Sequence, residues 1–419
     1  MNMYPLFHRR VRDNSERPLA HPLRCHSFDG EPPEDAVQMR HSFYEFFAGG
    51  GMARAGLGNR WECLFANDFD YKKGETYRRN WGDSELRTLD VGKLRTSDLP
   101  GVADLAWASF PCQDLSLAGG GAGLRGERSG TFWPFWRLIK ALIAEDRAPR
   151  MIVLENVCGT LTSHNGKDFT AICSAVQQAG YLLGALVIDA ALFVPQSRPR
   201  LFIVCVRSHV ELPEECIAEG PQDVWHSRIV DPFLTLPPRI KNEWVWWTIP
   251  LPPKRRVGLT DIAEETPEGV AMYSREQMAQ LLSKMSDRNR AKLTKAQRLN
   301  RPIVGGLYRR TRIDENGGKV QRAEIRFDDL SGCLRTPGGG SSRQTVLIVD
   351  GESVQARLIS TRETARLMGL PDSYILPDNY NEAYHLTGDG VVVPVVRHIA
   401  AHILEPTLAA SRARRTTAA

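Results

Sequence analysis

Residues 102–118 read VADLAWASFPCQDLSLA. Apolar residues lead from Val102 to Phe110, Pro111 then fixes the backbone, and Cys112 follows. Proline cannot continue a central strand, so the chain is expected to leave a sheet at this point. A thiol held at a strand end by rigid neighbours is a candidate nucleophile. Taken alone, it reads more simply as a small buried cysteine.

Other strand ends carry polar groups too. Upstream, Phe46-Phe47-Ala48-Gly49-Gly50-Gly51-Met52 closes a first strand with a glycine loop. Downstream, Met151-Ile152-Val153-Leu154 runs into Glu155-Asn156-Val157. Pro195-Gln196-Ser197-Arg198-Pro199-Arg200 then leads into an apolar run from Leu201 to Val206. Strands are expected at about 42–47, 62–67, 102–109, 151–155, 183–189 and 201–206. Between them lie helical patterns; Phe169, Ile172, Cys173 and Val176 fall at i, i+3, i+4 and i+7. This alternation predicts an α/β fold with a mostly parallel sheet. In such a sheet the carboxyl ends of the strands form the ligand crevice.

The length of 419 residues and the hydrophobic content of 42% allow two domains with proper cores. No run of 18 apolar residues is present, so no membrane span is expected, and the N-terminus does not read as a signal peptide. The eight cysteines are scattered, without CxxC pairs or zinc-like spacing. Reduced thiols, a cytoplasmic setting and no metal are expected. A net charge of +5 permits a nucleic-acid partner. From Lys284 to Arg312 there are ten Lys/Arg and a single acid, Asp287. That run is either a solvated helix face or a set of phosphate contacts.

In order along the chain, the glycine loop, Pro111-Cys112-Gln113, Glu155-Asn156-Val157 and Gln196-x-Arg198-x-Arg200 resemble the motifs of the cytosine-5 DNA methyltransferase family, bacterial or phage type. Thr361–Asp372 (TRETARLMGLPD) resembles the penultimate motif, and Gly388-Asp389-Gly390-Val391 the last. The resemblance implies a Rossmann-like class I methyltransferase fold with a mostly parallel sheet, plus a smaller, loop-rich target-recognition domain. It divides the chain into a disordered extension (1–38), a catalytic and cofactor-binding domain (39–207), the recognition domain (208–356), a return segment (357–407) and a frayed basic tail (408–419). Met39, just before the first strand, is a candidate start.

The resemblance also implies roles. Cys112 adds to carbon 6 of cytosine, Glu155 hydrogen-bonds or protonates ring nitrogen 3, Arg200 holds the base oxygen or its sugar, and Arg198 holds the phosphate and the loop. S-adenosylmethionine is carried by Phe47, Gly49, Gly51, Asp68, Phe69, Asp90 and Val91, with Asp389 and Val391 from the last motif. Gln113, Ser116, Arg309, Arg310 and Arg343 are candidate DNA contacts. The residues support the cofactor side independently. Asp68 ends the second strand about 20 residues after the glycine loop, as hydrogen bonding to ribose requires. Phe69 offers a ring to a purine, and Asp90 can reach its amino group. The loop itself is neither GxGxxG, since Arg54 stands at the third glycine position, nor a phosphate loop.

Two positions depart from the family pattern: Met52, where glycine is common, and Asp389, where asparagine is usual. Asp389 is expected either to face a positive group of S-adenosylmethionine or to cap a helix starting near Val391. The partner is expected to be double-stranded DNA, met by a monomer. A cognate restriction endonuclease would act on the same DNA without forming a complex. Two alternatives stay open: an RNA (tRNA) cytosine-5 methyltransferase, and a non-catalytic DNA-binding regulator on the same fold.

Overall fold

Met151–Val157 is buried at every position except its last, as a strand covered on both faces must be. Its side chains alternate: Met151 and Val153 enter one core layer, Ile152 and Leu154 the other. This strand lies inside a seven-stranded sheet, with neighbours on both sides. The computed structural model describes residues 40–111, 131–299, 301–313, 317–336 and 343–417. Cys112, Gln113, Ser116, the 1–38 extension and the glycines at 338–340 lie outside the described residues.

The strands are β1 (His41–Phe46), β2 (Trp61–Asp68), β3 (Leu86–Thr88), β4 (Leu105–Ala108), β5 (Met151–Val157), β6 (Tyr181–Asp189) and β7 (Pro199–Arg207), in the order β3-β2-β1-β4-β5-β7-β6. Helices α1 (Met52–Leu57), α2 (Tyr71–Trp81), α3 (Phe132–Ala144) and α4 (Lys167–Gln178) follow β1, β2, β4 and β5. On one face, Ile139 of α3 and Ile172 of α4 pack with Tyr44, Phe46 and Ala106. On the other, Val395, Ile399 and Leu404 of the returning chain pack with Phe43, Leu105 and Trp107.

The sheet is mostly parallel, as expected, with one reversal that matters for the site. β7 runs antiparallel to both β5 and β6. Arg198 and Arg200 stand at its amino end, not at a carboxyl end. The reversal pairs Arg200 with Val157, which brings the arginines to the rim that carries Glu155. The three-residue β3 is an element the apolar pattern did not reveal.

A second sheet is antiparallel: β8 (Ile303–Ile313), β9 (Lys319–Arg326), β10 (Thr345–Asp350) and β11 (Ser353–Leu358), ordered β11-β10-β8-β9. Helices Arg275–Ser283 and Asp287–Gln297 cover it, with Met278, Leu281 and Leu293 against Leu307, Ala323 and Leu347. This unit occupies only the later part of the expected 208–356 block. Residues 208–262 join the large sheet instead. Val245 N donates to Leu183 O at 2.8 Å, at the β6 edge. Trp225, Trp247 and Leu259 enter one of its core layers, Ile229 and Ile240 the other. Their spacing is irregular because the helices that carry Trp225, Ile240 and Leu259 are single turns of four residues.

The tail is a correction as well. Glu405–Thr417 is helical, in keeping with its alanines and arginines, and Arg412 reaches to within 3.7 Å of Asp104. Tyr380–Arg412 includes an 18-residue window apolar enough to cross a membrane, but 56% of that window is buried inside the protein.

Candidate active site

The glycine loop follows β1 with three residues in the left-handed region: Phe47 (φ 57°), Gly49 (φ 55°) and Gly51 (φ 78°). Only the glycines adopt this without cost. A Cβ on Gly51 would stand 2.3 Å from Trp81 Nε1, because Trp81 donates to Gly50 O at 2.9 Å. Tyr374 O–H donates to the same carbonyl at 2.7 Å. The turn is therefore locked from two sides, one of them the return segment.

Asp68 ends β2 and is buried. One carboxylate oxygen accepts Gly49 N–H and the other Asp70 N–H, each at 2.8 Å. Burial raises its carboxyl pKa, against the pull of Lys73 and these two amides. The neighbouring strands β2 and β3 place Asp90 beside it: Leu89 N donates to Asp68 O at 3.0 Å. Asp90 caps the turn Val91–Lys93, accepting Gly92 N–H at 2.7 Å. Phe69 is 69% exposed at the same rim. Val91 and Val391 are buried in core layers.

These residues fit S-adenosylmethionine. The exposed Phe69 ring offers a face to the purine. Each oxygen of Asp68 keeps acceptor capacity for a ribose hydroxyl. At Gly49 a Cβ would meet nothing within 4 Å, so the backbone there offers open space.

Asp389 is the last residue of the helix Tyr380–Asp389. Lys73 Nζ donates to its Oδ2 at 2.8 Å, and Thr336 O–H donates to Oδ1. Burial pushes its pKa up, but Lys73 and these bonds outweigh burial and leave it below the usual value. The capping expectation is corrected: the next helix is Val393–Ile399, its N-cap is Val392, and it has no side-chain cap. The positive group that Asp389 faces is Lys73, a residue of the chain itself.

The second half of the site lies on β5 and β7. Glu155 is buried, and Arg200 Nε lies 3.3 Å from its Oε1. Burial raises the Glu155 pKa; Arg200, Arg198 and a bond from Ser109 oppose that rise without cancelling it. Asn156 Nδ2 donates to Phe110 O at 3.2 Å, which fixes the chain just before Pro111. Cys112 itself lies outside the described residues.

Arg198 differs from its expected role. Its side chain is 2% exposed. Nη1 donates to Leu334 O at 2.7 Å, and Nη2 to Gly388 O and Gly390 O at 2.8 Å each. The guanidinium is turned inward and ties together the loops at 334, 388 and 390. Gln196 supports the same junction, donating to Leu367 O at 2.8 Å and accepting from Leu334 N at 3.0 Å. Arg198 Nη1 also lies 3.5 Å from Cys333 Sγ. Burial pushes that thiol up, yet Arg198, Arg200 and Arg335 bring it down to about 7. Lys73, Thr336, Trp81, Tyr374 and Cys333 carried no sequence signal; each acts through partners distant along the chain.

Of the remaining DNA candidates, Arg309 and Arg310 lie on the exposed part of β8. Arg343 is half-buried, donates to Asn381 Oδ1 and stacks over the Tyr380 ring at 5.7 Å.

The family model for C-5 cytosine-specific DNA methylases matches residues 41–405. The chain is similar to the type II methyltransferase M.BsuFI of Bacillus subtilis, with 26% identity over 371 residues, 88% of this chain and 74% of the relative. It is similar to the type II methyltransferase M.HhaI of Haemophilus parahaemolyticus, with 24% identity over 86% of this chain and 93% of the relative. In fold it resembles the S. pombe Dnmt2 methyltransferase (TM-score 0.55, 18% identity, 88% of this chain and 99% of that one). A putative DNA modification methyltransferase encoded within an E. coli prophage is comparable (TM-score 0.52, 16% identity, 88% and 99%). The chain belongs to the C-5 cytosine-specific DNA methylase family and is a DNA (cytosine-5-)-methyltransferase whose methyl donor is S-adenosylmethionine.

Proposed function

We propose that this enzyme methylates carbon 5 of a cytosine flipped out of a specific duplex DNA sequence, through a covalent adduct on Cys112. One observation carries the reading. Glu155 is a buried acid whose proton affinity is raised, set 3.3 Å from Arg200 at the sheet rim.

The Cys112 thiolate adds to carbon 6 of the ring and turns it into an enamine. Negative charge moves toward ring nitrogen 3, where the protonated Glu155 donates its hydrogen; such acid catalysis contributes ~10²–10⁴-fold. Arg200 orients the Glu155 carboxyl and holds the base oxygen or sugar. Arg198 positions the loops around 334, 388 and 390 and so shapes the pocket wall. S-adenosylmethionine, bound at Phe47, Gly49, Asp68, Phe69 and Asp90, supplies the electrophilic methyl group. Carbon 5 of the enamine takes the methyl group as its bond to the donor sulfur breaks, leaving S-adenosylhomocysteine. Carbon 5 then loses its proton to water, the Cys112 thiolate is eliminated, and ring nitrogen 3 returns its proton to Glu155. The target must leave the stack first, which costs a few kcal/mol.

The recognition region is the later part of 208–356. The enzyme acts in the cytoplasm as a monomer, on DNA that a cognate restriction endonuclease also recognises. Duplex DNA with 5-fluorocytosine, together with S-adenosylmethionine, is expected to trap a denaturation-resistant adduct, and Cys112→Ala to abolish it. Full methylation by Cys112→Ala would overturn the mechanism, and methylation of tRNA in preference to duplex DNA would overturn the substrate.

A further inference from the structure

The β8–β9 hairpin changes character along its length. β10 pairs with β8 only from Ile303 to Leu307, whereas β9 pairs with β8 from Gly306 to Ile313. Beyond Leu307 the hairpin is a two-stranded ribbon, and among the described residues no third strand pairs with it on the β8 side. At its base, Leu307, Ala323 and Ile325 face the small core. The other face is charged: cross-strand pairing sets Tyr308 opposite Glu324, Arg310 opposite Arg322, and Arg312 opposite Val320. Residues paired in this way share one face of the ribbon.

Glu324 is the centre of that face. Arg312 Nε donates to its Oε1 at 2.7 Å. Arg310 Nε lies 3.8 Å from its Oε2, with the Arg310 guanidinium stacked over the Tyr308 ring at 4.9 Å. The Glu324 side chain is only 16% exposed, whereas those of Arg310 and Arg312 are about half exposed (51% and 50%). The carboxylate sits beneath two arginines that reach outward. Arg326, also on this face, is engaged by Asp328 through two bonds of 2.7 and 2.6 Å.

Six residues of extended strand span ~20 Å. A B-DNA major groove, ~12 Å wide and ~8.5 Å deep, admits a two-stranded ribbon. We propose that the outer β8–β9 ribbon enters the major groove of duplex DNA, and that Glu324 is a specificity-determining residue that holds Arg310 and Arg312 back from indiscriminate phosphate contact. This inference rests on the reading of the chain as a duplex-DNA methyltransferase. A phosphate meeting the ribbon must compete with a carboxylate already in place. A groove that offers correctly spaced acceptors to both arginines repays that competition; random DNA does not. Selectivity of this kind comes from a built-in penalty on wrong partners.

The test compares the full chain with Glu324→Gln, Glu324→Asp and the double variant Arg310→Ala/Arg312→Ala. Binding to a 30-base-pair random-sequence duplex is measured across salt concentrations, and off-target cytosine methylation is read by bisulfite sequencing. Each phosphate contact changes the slope of log K against log salt by about 0.9. Glu324→Gln is expected to bind the random duplex several-fold more tightly, with a slope steeper by one to two, and to methylate more off-target cytosines. Glu324→Asp, which keeps the charge, stays near the parent, and the arginine double variant binds more weakly with a shallower slope. If the arginine variant weakens binding but Glu324→Gln leaves slope and off-target methylation unchanged, the role of Glu324 is overturned. If neither variant moves DNA binding, the ribbon is not on DNA. A parent enzyme that methylates no duplex DNA overturns the underlying reading instead.

Discussion

Lys73 Nζ lies 2.8 Å from Asp389 Oδ2 across 316 positions of sequence. The lysine comes from α2, shortly after Asp68; the aspartate ends the helix Tyr380–Asp389. Where the family usually has a neutral amide, this chain carries a charge and supplies its counterion internally. The pair is partly exposed, so its worth is about 1 kcal/mol or less.

Lys73→Met is expected to lower stability by about that amount at neutral pH. Asp389→Asn should cost less, because Lys73 keeps Asp68 nearby. The double variant should lose less than the sum of the two. Because Lys73 depresses the folded-state pKa of Asp389, the contribution is present above the unfolded carboxylate value and lost as pH falls through the folded one. Urea unfolding of all four proteins at pH 7 and pH 3 measures this; strict additivity at pH 7 would show the two side chains to be uncoupled.

Arg198 and Arg200 stand two residues apart and should fail in different ways. Arg198→Ala orphans the carbonyls of Leu334, Gly388 and Gly390, at about 1–3 kcal/mol for each buried group. A loss of several kcal/mol is expected, together with a loosened return segment. Arg200→Ala removes a half-buried partner of Glu155 and should lower methylation far more than the melting temperature. Calorimetry alongside single-turnover methylation separates the two, and a stable Arg198→Ala would contradict the tie.

What was legible followed from local rules. β5 could be read because Met151–Leu154 is continuously apolar and a buried strand requires it. Glu155 stood out because a carboxylate ends that run. The arginine motif was visible, but not the inward turn of Arg198, since its acceptors are main-chain carbonyls more than a hundred residues away. The reversal of β7 left no mark either, because a strand buried on both faces reads the same in both directions. The burial of Trp225 and Trp247 left no mark, because the short elements around them carry no sustained period. Lys73 is one lysine among many until Asp389 is placed beside it.

The two positive-φ glycines of the cofactor loop should respond unequally to alanine. At Gly49 a Cβ meets nothing within 4 Å, so only the left-handed backbone is penalised, by about 1–2 kcal/mol. At Gly51 the same penalty applies, and the Cβ also collides with Trp81 Nε1 at 2.3 Å. Trp81 would have to release Gly50 O, freeing the turn. Gly51→Ala should therefore weaken S-adenosylmethionine binding much more than Gly49→Ala, while duplex DNA binding without cofactor stays the same. Calorimetric titration reads both, and equal cofactor affinities in the two variants would refute the locking role of Trp81.

Glu155 links stability and chemistry through one proton. Burial raises its folded-state pKa above the unfolded value of about 4.3. The folded protein therefore holds more protons than the unfolded chain between those two values, and stability falls as pH rises through that window. The contribution is complete below the unfolded value and lost above the folded one. Glu155→Gln keeps the shape and leaves an amide oxygen for Arg200, but it cannot titrate or donate an acid proton. Its stability should show a shallower decline from pH 4 upward than the parent, so relative to the parent it gains at neutral pH. Its methylation rate should nevertheless drop by ~10²–10⁴-fold. Urea midpoints from pH 4 to pH 8, paired with single-turnover rates, test both halves. A Gln variant that loses activity and retains the parent's pH slope would move the raised proton affinity to another group.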